Sequence, residues 1–215
     1  MLFRSGVGVA LYDLTAQEDV LLDVQLSQVV VSPDRTRLLG VKDNTLTLID
    51  LQTQMLTPLA TTGTPEQVAW GAPGTDDVFY STVTPLDRQI ELTEQEAQEI
   101  MAILGFGDPA QFLLYEVSIR RLNIATAIDT EIYRQEAYAV GRMMAVPDGS
   151  GLVFSIVPNI DGWIRALLDG TLDTSNFSEV FKALKVDLYW LNFADNTPAL
   201  IDSDLNLAAV SPAGN

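Results

Sequence analysis

Asp202, Asp204 and Asn206 carry oxygen side chains at alternate positions, the arrangement that begins a calcium-binding loop. An EF-hand loop then needs glycine at its sixth position, where this chain has Leu207, and an acidic twelfth ligand, which is missing here. Alternating polar residues are equally typical of a turn between two strands. We therefore predict no metal site in this segment, with calcium as the alternative that the sequence leaves open.

Histidine and cysteine are both absent from the chain. Their absence excludes Ser-His-Asp and Cys-His nucleophile systems and histidine-ligated zinc or iron. The lysines, at 42, 182 and 185, do not lie beside a serine in a recognisable motif, and the adjacent carboxylates of Asp76 and Asp77 are expected in a solvated turn. We predict no catalytic residue and no cofactor, and we do not expect this chain to be an enzyme.

The charge balance is strongly acidic, with 12 basic and 29 acidic residues and a formal net charge of −17. Such a chain repels the phosphate backbone, so we predict that it does not bind nucleic acid. No apolar run approaches the roughly 18 to 20 residues that a membrane-spanning helix needs, so we predict no membrane insertion. A basic protein surface remains a compatible partner.

A short phrase recurs along the chain and indicates its architecture. A β-branched run leads into a Ser-Pro-Asp turn at 29–39, and relatives of this phrase occur at 68–74, 144–149 and 209–214. In the best-preserved unit the phrase is followed by two further strands, which gives four antiparallel strands at about 27–31, 37–41, 45–51 and 55–60. Four strands in about 35 residues are the size of a propeller blade.

The predicted fold is therefore all-β: a partial β-propeller of four-stranded antiparallel blades, whose strands we denote A to D. The turn prolines lie at 33, 73, 147 and 212, and the longer second and third intervals place two insertions between strands B and C. The predicted units are a half blade at 1–26, a blade at 27–62, a blade at 63–140 with an insert at 85–111, a blade at 141–204 with an insert at 158–185, and the start of another blade at 205–215.

Both inserts are predicted to be helical and to form a recognition surface. The first has a capping box from Thr93 to Glu96, followed by apolar residues at helical spacing. The second has short helical patterns at 163–168 and 177–184. Because both inserts interrupt the B–C connection of neighbouring blades, they should lie side by side on one face. The residues that we predict to contact a partner are Trp163, Phe177, Phe181 and Met101.

The phrase around Val31-Ser32-Pro33-Asp34, with its relative at Val146-Pro147-Asp148-Gly149, resembles the Ser-Pro-Asp-Gly turn of TolB-like β-propeller repeats. The resemblance covers almost the whole chain apart from the two inserts. It implies an exported bacterial protein, periplasmic or extracellular, whose propeller binds other proteins or carries a catalytic domain elsewhere. Our leading hypothesis is a non-enzymatic module that recognises another protein or an envelope component. The same repeat class also supplies the substrate-gating propeller of prolyl oligopeptidase-type serine peptidases, which is the alternative function.

The ends of the chain carry two further expectations. The amino terminus lacks the zones of a signal peptide, and we expect the chain to be a truncated fragment of a larger propeller protein. End blades without neighbours would expose apolar faces. The alternative is closure into a four-bladed ring, in which the terminal strand pairs beside the first two strands.

Overall fold

Antiparallel sheets dominate the computed structural model, which describes residues 2–5, 8–13, 18–22, 24–104, 113–171 and 185–206. The first sheet has three strands and the next three have four strands each, always in chain order. The elements are β1 (Leu2–Ser5), β2 (Gly8–Asp13), β3 (Glu18–Leu22); β4 (Ser27–Val31), β5 (Arg37–Lys42), β6 (Thr45–Asp50), β7 (Leu56–Pro58); β8 (Val68–Trp70), β9 (Asp77–Gln89), α1 (Glu94–Leu104), β10 (Leu113–Asn123), β11 (Ile128–Glu136); β12 (Ala139–Ala145), β13 (Gly151–Val157), α2 (Asp161–Leu168), β14 (Lys185–Asn192) and β15 (Thr197–Asn206).

This architecture confirms the predicted fold class, an all-β partial propeller with helical insertions. Strands A to D of the three complete sheets are β4 to β7, β8 to β11 and β12 to β15. The helix α1 lies between β9 and β10, and α2 lies between β13 and β14, so both described helices interrupt a B–C connection as predicted. The second predicted helix of the later insert, at 177–184, lies outside the described residues, as does the strand predicted to begin at Leu207.

Three boundaries differ from those predicted. The first sheet gains β1, which pairs with β2 and gives three strands where the sequence predicts two. The strand β9 runs to Gln89, well past the start of the insert predicted at 85, because β9 and β10 continue to pair as a long ribbon. Pro85 suggested an earlier end, but it lies at an irregularity of the pairing, where a missing N–H is tolerated. Finally, β15 continues through Asn206, so the last unit does not begin at 205.

One hydrogen bond repeats at the same end of each complete sheet. The amide that follows strand C donates to the carbonyl three residues after the turn proline: Leu51 to Thr36 at 2.9 Å, Ile124 to Asp76 at 2.8 Å, and Phe193 to Ser150 at 3.0 Å. These bonds join the A–B and C–D turns of one sheet. They define the turn end of the molecule, and the B–C and D–A connections emerge at the opposite end, which we call the insert end.

Three apolar cores lie between neighbouring sheets. Leu38 and Ile49 of the second sheet pack towards Leu22 of the first sheet. Leu39 and Leu46 pack towards Tyr80 of the third sheet. The largest core joins the third sheet to the fourth and contains Ala69, Phe79, Val117, Ile119, Tyr133, Ala137, Val140, Leu152, Phe154, Ile156 and Leu191.

Phe154 should be the costliest single truncation in this largest core. Its ring is fully buried, with its centre 4.8 Å from that of Tyr133 and 5.7 Å from that of Tyr189. We expect Phe154→Ala to lower the free energy of unfolding by about 3–5 kcal/mol, because it leaves a cavity between two sheets. Met144→Ala is the matched control, since Met144 on the preceding strand is 65% exposed and should cost at most about 0.5 kcal/mol. Urea unfolding measures both, and equal losses would contradict this account of the core.

Candidate functional site

The two inserts pack against each other at the insert end. Ile100 of α1 is fully buried against Ile164 and Leu167 of α2, and this small core is separate from those between the sheets. Partly buried neighbours complete it: Ile90, Leu92, Ile103, Ile160, Trp163 and Leu168. The predicted side-by-side placement of the inserts is confirmed for their described parts, and the helices bury Ile100, Ile164 and Leu167 between them.

A capping box fixes the beginning of α1. The amide and hydroxyl of Thr93 donate to Glu96 Oε2 at 2.7 and 2.8 Å, and the Glu96 amide donates to Thr93 Oγ1 at 3.3 Å. Arg165 of α2 donates to Glu96 Oε1 at 2.7 Å and also donates to the carbonyl of Glu91. The hydrogen bonds from Thr93, helped by Arg165, hold the pKa of Glu96 below its ordinary value. One carboxylate therefore caps α1 and joins it to α2.

The predicted partner-binding residues divide into three groups. Trp163 is half-buried and packs into the core between the helices. Met101 is half-buried on α1 and lies outside that core. Phe177 and Phe181 lie outside the described residues.

Tyr138 is an insert-end residue that the sequence reasoning missed. It lies between β11 and β12, is 53% exposed, and packs edge-on against Tyr115 with ring centres 5.5 Å apart. The Asn159 side chain, just before α2, bonds both the amide of Tyr115 at 3.0 Å and its carbonyl at 2.9 Å. The available signal was a large aromatic residue between two alanines in a connection where small polar residues are usual.

The outward side of the helix pair is acidic. Five carboxylates on or beside the two helices are exposed: Glu91, Glu94, Glu99, Asp161 and Asp169. Arg165 is the basic residue of α2, and its guanidinium is already paired with Glu96. The described part of the insert end therefore presents negative charge around an apolar core.

A pocket of about 270 Å³ lies at the opposite, turn end, between the A–B turns of the second and third sheets. We call it the turn pocket, and its lining residues are Ser32, Pro33, Asp34, Arg37, Trp70, Ala72, Pro73, Gly74, Thr75 and Asp76. Trp70 is buried and donates from Nε1 to the carbonyl of Val30 at 3.1 Å, which fixes its indole between the sheets. The Arg37 guanidinium stacks over that indole at 5.1 Å.

Asp34 is held as a carboxylate at the rim of the turn pocket. The hydroxyl of Ser32 donates to its Oδ1 at 2.6 Å, and the amide and hydroxyl of Thr36 donate to the same oxygen at 3.0 and 2.8 Å. These bonds, with the charge of Arg37 as a smaller contribution, lower the pKa of Asp34 to about 2. The group therefore remains ionised through the neutral and mildly acidic range.

A polar network ties the connection after the second sheet to the third sheet. Asp129 accepts hydrogen bonds from Tyr80 at 2.7 Å, from the Thr62 hydroxyl at 2.8 Å and from Arg120 Nε at 3.0 Å. Burial raises the pKa of Asp129, but these hydrogen bonds outweigh burial and hold it below its ordinary value. Burial and the neighbouring Asp129 raise the pKa of Tyr80 to about 12. A carboxylate with its oxygens so fully occupied is a structural anchor and a poor general base.

The calcium alternative is not supported in its predicted form. Asp202 is exposed within β15, and the segment through Asn206 is a strand and not a loop. A calcium loop folds its backbone around the ion, whereas the backbone of a strand is extended. Within the described ranges there is no cluster of three or more acidic, histidine or cysteine residues placed to hold a metal ion. Those ranges also contain no helix that is long and apolar enough to cross a membrane.

No protein-family model and no curated protein sequence matches this chain. Solved structures do resemble it in shape. TolB of Agrobacterium tumefaciens superposes with a TM-score of 0.55 at 13% identity, over 91% of this chain and 56% of that one. TolB of Acinetobacter baumannii gives 0.54 at 9% identity, over 90% and 37%. An acylaminoacyl peptidase of Pyrococcus horikoshii gives 0.51 at 12% identity, over 91% and 27%.

These likenesses support the β-propeller fold. At such low sequence identity, individual residues of those proteins cannot be matched to residues of this chain. The chain spans between about a quarter and three fifths of the length of the three proteins it superposes on.

The capping box should control the stability of α1 without affecting the sheets. We expect Thr93→Ala to cost about 0.5–2 kcal/mol of local stability, since it removes a cap from the first turn. Hydrogen exchange should become several-fold faster at the amides of α1 and remain unchanged at those of β13. Gln95→Ala is the control, because Gln95 is exposed on the same helix and forms no part of the box. Equal acceleration by both substitutions would show that the box does not hold the helix.

Proposed function

We propose that this chain is a non-enzymatic recognition module, in which a propeller-type scaffold presents the insert end to another protein or to a cell-envelope component. The observation that carries the proposal is the packed helix pair. Two insertions from neighbouring sheets have their own apolar core, centred on Ile100 and Ile164, and an ion pair between Arg165 and Glu96. Elaborated loops on a rigid scaffold are where proteins commonly place binding residues.

The chemistry of the insert end favours a basic partner surface. Exposed carboxylates surround the helices, and the whole chain carries a net charge of −17. Electrostatic complementarity of this kind raises association rates and discriminates against acidic partners. Tyr138 adds an exposed aromatic ring at the same end, where it can stack on the stem of a lysine or on an arginine.

The resemblance to TolB-like repeats supports export of the protein to the periplasm or the exterior. The partner would be bound in that compartment. The same resemblance supports one competing role, as the substrate-gating propeller of a serine peptidase whose catalytic domain is encoded outside this chain. The reading frame beyond Asn215 distinguishes the two roles. A downstream Gly-x-Ser-x-Gly motif followed by aspartate and histidine would replace the recognition role with the gating role.

Site-specific photo-crosslinking tests the recognition surface. A photoreactive phenylalanine analogue at Gln98, on the exposed side of α1, should give a discrete adduct in an extract of the source cells. The same analogue at Gln52 is the matched control, since Gln52 is equally exposed but lies in a C–D turn at the opposite end. An adduct from Gln98 alone supports the proposal.

Charge reversal then tests the chemistry of that contact. Glu94→Lys with Glu99→Lys should reduce the Gln98 adduct several-fold and weaken its dependence on salt, because like charges would face each other. An adduct formed only from Gln52, or one that is insensitive to this reversal, would place recognition elsewhere. Unchanged circular dichroism of the variants shows that the fold is intact.

A further inference from the structure

Arg37 in the turn pocket differs from the other paired arginines of the described chain because its guanidinium donates no hydrogen bond to the described residues. Its nearest carboxylate oxygen, Asp76 Oδ1, is 3.8 Å away, beyond hydrogen-bond distance. By contrast, Arg120, Arg134 and Arg165 each donate to a carboxylate within 3.0 Å. The Arg37 side chain is only 26% exposed. A partly buried guanidinium therefore faces the pocket with its planar set of donors unused.

Two carboxylates, those of Asp34 and Asp76, line the same pocket as that guanidinium. All three protein donors to Asp34 bind Oδ1, so Oδ2 accepts no hydrogen bond within the described chain. The Asp76 side chain is half-exposed, and its contact with Arg37 is long. The pocket thus offers a bidentate donor for a carboxylate and, within the same small space, free carboxylate oxygens for a cation.

The remaining walls are apolar and the space is small. Pro33 and Pro73 are exposed residues of the lining, and Trp70 is a buried one. Gly74 has φ +82°, and a Cβ there would have no atom within 4 Å, so the rim is open above it. A volume of about 270 Å³ is room for a compact organic molecule.

We propose that the turn pocket binds a free aliphatic α-amino acid, with the ligand carboxylate on Arg37, the ammonium group between Asp34 and Asp76, and the side chain against Pro33, Pro73 and Trp70. This site is independent of the insert end. A phosphate or dicarboxylate would meet Asp34 and Asp76 with no positive group of its own to offset them. A simple amine would leave the Arg37 donors unsatisfied and bring a second positive charge beside them. A peptide terminus carries only one of the two charged groups.

Three small probes isolate the two charged groups: L-leucine, isopentylamine, which lacks the carboxylate, and 4-methylpentanoate, which lacks the ammonium group. The readout is the indole N–H resonance of Trp70 in a proton–nitrogen NMR spectrum. The corresponding resonances of Trp163 and Trp190 provide internal references within the same sample. We expect saturable movement of the Trp70 signal with leucine, and binding of either partial probe that is about tenfold weaker or more.

Variants locate the binding on the pocket residues. Arg37→Gln should abolish the leucine response, and Arg37→Lys should reduce it, because lysine keeps the charge but loses the planar fork. Asp76→Asn should weaken the binding of leucine several-fold. It should leave the weak response of the Trp70 signal to 4-methylpentanoate unchanged or make it stronger. Arg35→Gln is the control, since Arg35 is exposed in the same turn and does not line the pocket.

The possible results separate cleanly. A Trp70 response to leucine that disappears in Arg37→Gln and persists in Arg35→Gln supports the site. No saturable response in the millimolar range, or equal responses to leucine and to either partial probe, would overturn it. Should Arg37→Gln alter the dispersed spectrum as a whole, the milder Arg37→Lys and Asp76→Asn variants decide the question. None of these results depends on the insert end.

Discussion

The structure depends on sheets that are apolar on both faces. In β9, Phe79 packs towards the fourth sheet, while its neighbour Tyr80 packs towards the second. In β5, Leu38 and Leu39 likewise face opposite neighbours, and all four central residues of that strand are buried. A sheet with two apolar faces is not stable alone in water, so the second and third sheets each require a neighbour on both faces. Face-to-face stacking therefore fixes the sheets, while their ends remain free to vary.

This freedom accounts for the difference between the two ends. At the turn end, one repeated hydrogen bond joins the A–B turn to the C–D turn in every complete sheet, which leaves little room for insertions. At the insert end no such bond recurs among the described residues, and two B–C connections have expanded into helices. A lone short amphipathic helix is marginal in water. The helices resolve this by burying Ile100 against Ile164 and Leu167, so their described parts share a core that is separate from the propeller-type cores.

The sequence predicted the fold and the placement of the inserts because both follow from local signals. Turn prolines, β-branched runs and the Thr93–Glu96 box each act within a few residues. The errors have an equally physical origin. Pro85 is a local stop signal, but pairing between β9 and β10 overrides it. The turn pocket could not be read from the sequence, because Arg37 meets Trp70 and Asp76 only when two sheets stack. The exposure of Tyr138 likewise depends on a tertiary contact, its packing against Tyr115, which the sequence does not reveal.

Differences between the repeats are most informative at the position four residues after the turn proline. In the third sheet this residue is Asp77, whose carboxylate satisfies Arg121, and Arg121 in turn stacks on Phe193 of the next sheet. In the second sheet the same position is Arg37, which stacks on Trp70 of the next sheet but finds no carboxylate within hydrogen-bond distance. The charge at this position is therefore opposite in the two sheets. An arginine thus stacks on an aromatic ring of the next sheet at both junctions, but the guanidinium of Arg37 lacks the hydrogen-bonded carboxylate that satisfies Arg121.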